Sequence, residues 1–139
     1  QQDYIVQEYL SEEKGEFTCG LFKSKDCKPR SIIFKRELSR GYSNFGELVY
    51  NEKISSLLYK LAYRLNLTGS INVQLRMNND EPVIFEINPR FSSTVLFRHL
   101  FGFKDVFWSI QDALDLPKDD YILRNDLRYF YKGFSEYVG

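Results

Sequence analysis

The chain has 139 residues, of which 43% are hydrophobic and 17% aromatic, so it is long enough to bury the core of one domain. Its formal net charge is zero, which argues against nucleic acid as a partner. No apolar stretch approaches the roughly 20 residues of a membrane-spanning helix, so we expect no membrane insertion.

Cysteine and histidine chemistry is sparse. The two cysteines, Cys19 and Cys27, and the single histidine, His99, are too few for a disulfide framework or a Cys/His zinc site. Reduced thiols are typical of cytosolic proteins, so we expect a cytoplasmic location. The chain begins at Gln1 rather than at a methionine, which predicts a processed chain or a fragment of a longer one.

The first part of the chain predicts strands and turns. Residues 3–10, 16–23 and 30–38 indicate three extended segments separated by polar turns, and together they predict an antiparallel meander. Residues 39–46 are rich in Gly, Ser and Asn and predict a loop.

Helical periodicity begins at about residue 47. Apolar residues recur at intervals of three and four from Ile54 to Leu65, which predicts one long amphipathic helix. Two shorter helices are predicted over residues 94–101 and 106–114, and a last aromatic strand over 126–137. The predicted fold class is therefore α+β, an antiparallel sheet packed against one long and two shorter helices in a single domain.

Between these helices, residues 70–77 and 83–88 predict a hairpin with polar side chains on one face. Because side chains alternate along a strand, the first strand places four polar residues together, Ser70, Asn72, Gln74 and Arg76. In the second strand one face carries Ile84, Glu86 and Asn88, and the other carries Val83, Phe85 and Ile87.

A turn centred on Asp80 would fix the register of this hairpin. Gln74 would then lie opposite Glu86, and Asn72 opposite Asn88, with facing Cβ atoms about 5 Å apart. A carboxylate and amide oxygens at this separation suit Mg²⁺, which prefers oxygen ligands and keeps positions for substrate phosphate.

The residues after the hairpin suit an anion. Pro89 ends regular pairing because it has no N–H to donate. Arg90 leaves the sheet beside the proposed metal and is able to bind phosphate oxygens in a bidentate manner. The backbone N–H groups of Ser92 and Ser93 also face this region if a helix begins there. A merely solvated polar face is the simpler alternative.

The string FEINPRFSS, preceded by GSINVQLRM, resembles the C-terminal lobe of ATP-grasp enzymes, most closely their carbamoyl-phosphate-synthetase-like branch. IVQEYL followed by GEFT is similar to the family's hinge strand, and KRELSRG to a strand and loop near the phosphates. The resemblance covers about residues 4–115, with 120–139 as a terminal strand. The family's N-terminal ATP-binding lobe has no counterpart in the sequence, and Ser93 stands where much of the branch has Gly.

The resemblance implies roles for individual residues. Gln74, Glu86 and Asn88 would bind Mg²⁺, with Mn²⁺ as a second candidate ion. Arg90 and Asn88 would be catalytic, Arg90 at the transferred phosphoryl group, and Arg98 would contact the substrate. The implied ATP-binding residues are Gln7, Glu8, Leu10, Glu16, Arg36 and Arg40. Within that set, the Gln7 carbonyl and Leu10 amide would bind the adenine edge, and Glu16 the ribose hydroxyls.

The family activates a carboxylate as an acyl phosphate, which an amine or similar nucleophile attacks. The resemblance therefore implies an ATP-dependent carboxylate–amine ligase of small molecules that is inactive without its N-terminal lobe. Two other interpretations stay open: a non-catalytic nucleotide-binding or assembly module, and a structural α+β domain with an accidental motif. Aromatic residues that the absent lobe would cover predict self-association into a homo-oligomer.

Overall fold

The computed structural model describes residues 4–11, 13–39 and 42–133. In chain order the elements are β1 (Glu16–Ser24), β2 (Cys27–Ser39), β3 (Tyr42–Leu48), α1 (Glu52–Arg64), β4 (Gly69–Asn78), β5 (Glu81–Asn88), α2 (Val95–Leu100), α3 (Asp105–Ala113) and β6 (Tyr129–Tyr131). In the part of the chain described, the six strands form one sheet in the order β5-β4-β1-β2-β3-β6, with every neighbouring pair antiparallel. The α+β prediction is confirmed.

One face of the sheet packs against α1. Alternate residues of β1, including Cys19 and Leu21, point toward this helix and are fully buried with Ile54 and Leu58. The side chain of Asn51 caps the helix by accepting a hydrogen bond from the Ile54 amide. This apolar layer fixes the hairpin too, because β4 contributes to the same cluster.

The opposite face is divided into an aromatic end and a polar end. At the aromatic end, Phe22 and Phe34 pack against the helical region that includes Phe103 and Trp108, and all four side chains are fully buried. Phe22 and Phe103 each meet Trp108, and Phe34 meets Phe101, in tilted or edge-to-face pairs with ring centroids 5.0–5.4 Å apart. The polar end, around Glu16, borders an open cleft.

The predicted strand over residues 3–10 is wrong for the described part, residues 4–10, which have no regular structure. Several apolar side chains there are exposed, among them Ile5 and Val6. Both edges of β1 are already paired, with β2 on one side and β4 on the other, so no position beside β1 remains. The meander continues instead through β3.

The predicted loop over residues 39–46 is also wrong, since β3 occupies most of it and α1 begins only at Glu52. The small and polar residues of this segment are typical of a loop, so the sequence pattern did not indicate a strand. In the structure Phe45 packs on the rings of Tyr129 and Tyr131 of β6. The predicted last strand is shorter than expected, and its residues 134–137 lie outside the described part of the chain.

Across the described ranges, every helix is too short or too polar to cross a bilayer. The cytoplasmic location and the single-domain division of the chain stay predictions.

Candidate functional site

A cleft of about 430 Å³ opens at the polar end of the sheet. Five of its lining residues were predicted from the sequence, namely Glu16, Arg36, Gln74, Glu86 and Arg90. Its other lining residues are Leu38, Ser43, Phe85 and Ser93. The cleft therefore brings together residues that are up to 77 positions apart in the sequence, from all of β1 to β5 and the segment after β5.

The hairpin has the predicted register. Gln74 pairs with Glu86, and Asn72 with Asn88. The turn places Asn79 and Asp80 at φ of 48° and 64°, which is the left-handed geometry of a tight two-residue hairpin turn. The carboxylate and the facing amide consequently lie side by side at the cleft.

A β-bulge changes the predicted alternation of β5. The register shifts between Gln74 and Leu75, so Leu75 pairs with Ile84 and Phe85 is the extra residue. Ile84 packs into the apolar cluster under α1, whereas Phe85 lines the cleft together with Glu86. The prediction that Ile84 shares a face with Glu86, and Phe85 does not, is therefore wrong.

Glu16 lies between two arginines. The Arg76 guanidinium donates to Oε2 through Nε at 3.0 Å and Nη2 at 2.6 Å, and Arg36 donates to Oε1 through Nε at 3.0 Å and through Nη2. Burial raises the pKa of the Glu16 carboxyl, but the hydrogen bonds and charges of Arg36 and Arg76 outweigh it and hold this pKa below its ordinary value. Glu16 is thus an ionised, nearly enclosed carboxylate at the edge of the cleft.

Arg36 links Glu16 to the proposed metal ligands. Its Nη2 donates to Gln74 Oε1 at 2.7 Å, and its Nη1 donates to Ser43 Oγ at 3.3 Å. On the other strand, Asn88 Nδ2 donates to Glu86 Oε1 at 2.6 Å. Gln74 and Glu86 therefore both line the cleft, whereas Asn88 is not among its lining residues and contacts Glu86.

The donor set fits a hard divalent cation in chemical type. Glu86 is exposed to the cleft and supplies a carboxylate, while Gln74 and Asn88 supply amide oxygens from the same face. A rotated Asn88 amide would present its oxygen where its nitrogen now lies. The described residues contain no group of three His, Cys, Asp or Glu side chains arranged for a metal, so a cation here depends on the amides.

A second cavity of about 280 Å³ adjoins the cleft and shares Phe85 with it. The remaining lining comes from Arg76 and from the consecutive residues Gln7, Glu8, Tyr9 and Leu10. The segment predicted to bind the adenine edge thus borders a recess beside the residues predicted to bind ribose and phosphate.

Arg98 lies away from the cleft. It is fully buried, and its guanidinium donates to Asn72 Oδ1 and, at 3.3 Å, to Thr18 Oγ1. Its Nε and Nη1 have no hydrogen-bond partner among the described residues. Burial lowers the pKa of Arg98 to about 10, although the nearby charge of Asp105 acts to raise this pKa. Its substrate role stays a prediction, and Arg40 lies outside the described residues.

Sequence reasoning did not assign Ser43, Arg76 or Phe85 to the site. Ser43 fell in a segment predicted as a loop, and Phe85 was assigned to the wrong face because a bulge leaves no clear mark in the sequence. Arg76 was correctly placed on the polar face. Its partner was hidden, since Glu16 is 60 residues away in the sequence.

The comparison with protein families decides the affiliation. The family described as ATP-grasp in the biosynthetic pathway with Ter operon matches residues 1–131. The chain belongs to this ATP-grasp family. The predicted superfamily is confirmed, and the placement in the carbamoyl-phosphate-synthetase-like branch stays a prediction.

Individual proteins are also similar to this chain. The tyramine–L-glutamate ligase of Methanocaldococcus jannaschii is 27% identical over 99 residues, which are 68% of this chain and 31% of that protein. The phosphoribosylaminoimidazole carboxylase ATPase subunit of Aquifex aeolicus has a TM-score of 0.66 at 16% identity, covering 81% of this chain and 36% of that one. The L-amino acid ligase of Bacillus licheniformis has a TM-score of 0.55 at 16% identity, covering 73% of this chain and 30% of that one.

The two solved structures show that the fold is shared. The chain spans about a third of the length of each of these proteins.

Proposed function

We propose that this chain is the C-terminal lobe of an ATP-dependent ligase that activates a carboxylate as an acyl phosphate for attack by an amine or similar nucleophile. The observation that carries the proposal is the common cleft of Gln74, Glu86 and Arg90, beside a recess lined by Gln7 and Leu10. The family affiliation and the names of two relatives, both ligases, support the same reaction class.

ATP would span the two cavities. The base would enter the smaller recess, where the Gln7 carbonyl and the Leu10 amide would bind its edge and Glu8 is a further lining residue. Glu16, at the boundary of the larger cleft, would accept hydrogen bonds from the ribose hydroxyls. The phosphates would then lie over the larger cleft, near Arg36 and, by resemblance, Arg40.

Gln74, Glu86 and Asn88 would hold Mg²⁺ or Mn²⁺. Such an ion, when bound, neutralises charge on the phosphate oxygens and orients them for in-line transfer. The protein's own contribution is to fix three oxygen donors on paired strands, whose positions the apolar layer beneath α1 makes rigid.

Among the described residues, Arg90 is the one best placed to stabilise the transferred phosphoryl group. It is exposed at the cleft and its Nη1 donates to the Phe91 carbonyl at 3.0 Å, a single neutral contact that a phosphate would outcompete. Phosphoryl transfer needs positioning and charge stabilisation more than a protein nucleophile. The proposed reaction therefore requires no Ser, Cys or His nucleophile.

Phosphate release from ATP by the complete protein tests the proposal. Amino acids and small carboxylates would be screened as acyl donors with amines as acceptors, beginning with glutamate and tyramine because one relative is named for them. We expect release that requires both substrates and falls by more than about a hundredfold in Glu86→Gln, since even outer-shell partners of metal ligands are worth about 10- to 100-fold.

Glu81→Gln is the matched control, because Glu81 lies at the start of the same strand and pairs with Lys53 on the surface. Full activity of Glu86→Gln would rule out the metal role of Glu86. Circular dichroism of both variants would establish that the fold is retained.

A non-catalytic nucleotide-binding or assembly module is the second candidate. The observation in its favour is that Gln74 Oε1 already accepts a hydrogen bond from Arg36, which competes with a cation for this oxygen. This candidate predicts that the complete protein binds ATP without releasing phosphate under any substrate pair.

A further inference from the structure

Arg76 contacts three separate parts of the proposed nucleotide site. Its Nε and Nη2 donate to the Glu16 carboxylate, its Nη1 donates to the Leu10 carbonyl at 2.7 Å, and its guanidinium lies 5.2 Å from the Phe85 ring centroid. The side chain is only 16% exposed. Neither the sequence motif nor the resemblance assigned it a role.

We infer that Arg76 is a positioning residue that fixes the base-reading backbone of Leu10 relative to the ribose-binding carboxylate of Glu16. The inference rests on the proposed function, because it presumes that ATP occupies both cavities. Arg76 itself would act on the nucleotide through Leu10 and Glu16.

The need for such a residue follows from the backbone around Leu10. Residues 4–10 have no regular secondary structure, and most of their side chains are exposed, whereas Leu10 is buried. Backbone groups discriminate between bases only when they are held at a fixed position. Arg76 projects from β4, which is paired on both sides, so it connects this segment to an interior strand of the sheet.

The planar guanidinium suits this task. Its forked donors satisfy a carboxylate with two N–H groups and still leave a third N–H for a backbone carbonyl. The Phe85 ring lies next to the Arg76 guanidinium, because the bulge in β5 places this ring on the cleft face. A cation over an aromatic ring is attracted to it, which helps to hold the guanidinium in place. Lysine has the same charge but cannot make this set of directed contacts.

Arg36 provides a matched comparison. It is the other guanidinium on Glu16, and it is buried to a similar degree, but its remaining hydrogen bonds go to Gln74 and Ser43 on the phosphate side. Arg36 and Arg76 form the Glu16 clamp, the two guanidinium groups that donate to the Glu16 carboxylate. Loss of either arginine removes one of these two groups. Only loss of Arg76 also releases the Leu10 carbonyl.

The test compares ATP with ITP in the complete protein. In ITP a carbonyl oxygen, which accepts, replaces the 6-amino group of adenine, which donates. The N1 atom likewise changes from an acceptor to an N–H donor. Backbone groups placed to bind the adenine edge therefore reject ITP. We expect the wild type to prefer ATP, measured as kcat/KM, and Arg76→Met to reduce that preference at least about tenfold, as loss of a charge-assisted hydrogen bond predicts. The change should be mainly in KM for ATP.

Arg36→Met should keep the wild-type preference for ATP over ITP while losing activity with both. A merely structural effect of Arg76→Met would lower the use of both nucleotides equally, so an unchanged ATP/ITP ratio overturns the inference. An equal fall of the ratio in both variants overturns it too. If Arg76→Met does not fold, Arg76→Lys carries the same comparison, with the same expected fall in the ratio.

Failure of the inference and failure of the proposed function are distinguishable. A wild type that uses ATP without preferring it to ITP contradicts the adenine-edge contacts and the positioning role, but not the ligase reaction. A wild type that never uses ATP contradicts the proposed function, and the inference with it.

Discussion

Gln74 and Glu86 face one another across two paired strands, and both side chains border the same cleft. The pairing results from a tight turn at Asn79 and Asp80 and from the apolar residues of β4 that pack under α1. The apolar layer under α1 thus sets the distance between the Glu86 carboxylate and the Gln74 amide, and the proposed chemistry requires this distance.

Gly46 is expected to tolerate no side chain. A Cβ atom at this position would lie 2.1 Å from Cε1 of Phe130, whose ring is buried against Phe34 and Phe97. Gly46→Ala should therefore lower the free energy of unfolding by about 1–3 kcal/mol, the usual cost of overpacking a core. Urea denaturation would measure it, with Lys60→Ala on the exposed face of α1 as the control. Unchanged stability would mean that Phe130 does not occupy this position.

The hairpin was the part of the fold most accessible from sequence. Strict alternation, turn-forming residues and a motif of known spacing fixed the register of Asn72, Gln74, Glu86 and Asn88 correctly. The bulge at Phe85 was not predictable, because Val83, Ile84 and Phe85 are consecutive apolar residues and the pattern does not show which of them faces the core. Local pattern therefore identified the ligand pair but not its aromatic neighbour.

Long-range competition explains the other errors. Residues 4–10 have the composition of a strand, but the neighbouring positions in the sheet are taken by β2 and β4. The two arginines on Glu16 come from 20 and 60 residues away, so no local pattern indicates that this carboxylate binds two guanidinium groups. Both features depend on which strands pair with one another in the folded sheet.

Acid should selectively weaken the Glu16 clamp. The folded-state pKa of Glu16 lies below its ordinary value of 4.5, so its ion pairs stabilise the fold above about pH 4.5 and are lost as pH falls through the lower folded-state pKa. The stability difference between the wild type and Glu16→Gln should be largest near neutral pH and shrink as pH drops below 4.5. A pH-independent difference in denaturation midpoint would contradict the clamp.

Arg98 should act mainly on stability. It is fully buried with Asn72 and Thr18 and lies near Asp105, whose carboxyl has a pKa raised by burial and partly lowered again by the Ser70 hydrogen bond and the Arg98 charge. Arg98→Met should lower the free energy of unfolding by about 1–3 kcal/mol, because it leaves polar groups buried without their partner.

Adding Asp105→Asn should recover part of that loss, since it removes the uncompensated carboxylate. Chemical denaturation of the two single variants and the double variant would measure the coupling. A normal stability for Arg98→Met combined with a raised KM for the acyl substrate would instead support the substrate role that the family resemblance implies.

Manganese binding tests the central claim most directly. Mn²⁺ would be titrated into the complete protein with ATP present and followed by electron paramagnetic resonance, comparing the wild type with Glu86→Gln and with the control Glu81→Gln. We predict that Glu86→Gln weakens Mn²⁺ binding by at least about tenfold and that Glu81→Gln leaves it unchanged. Equal Mn²⁺ affinity in all three proteins would contradict the assignment of Glu86, and with it the metal-bound phosphate site.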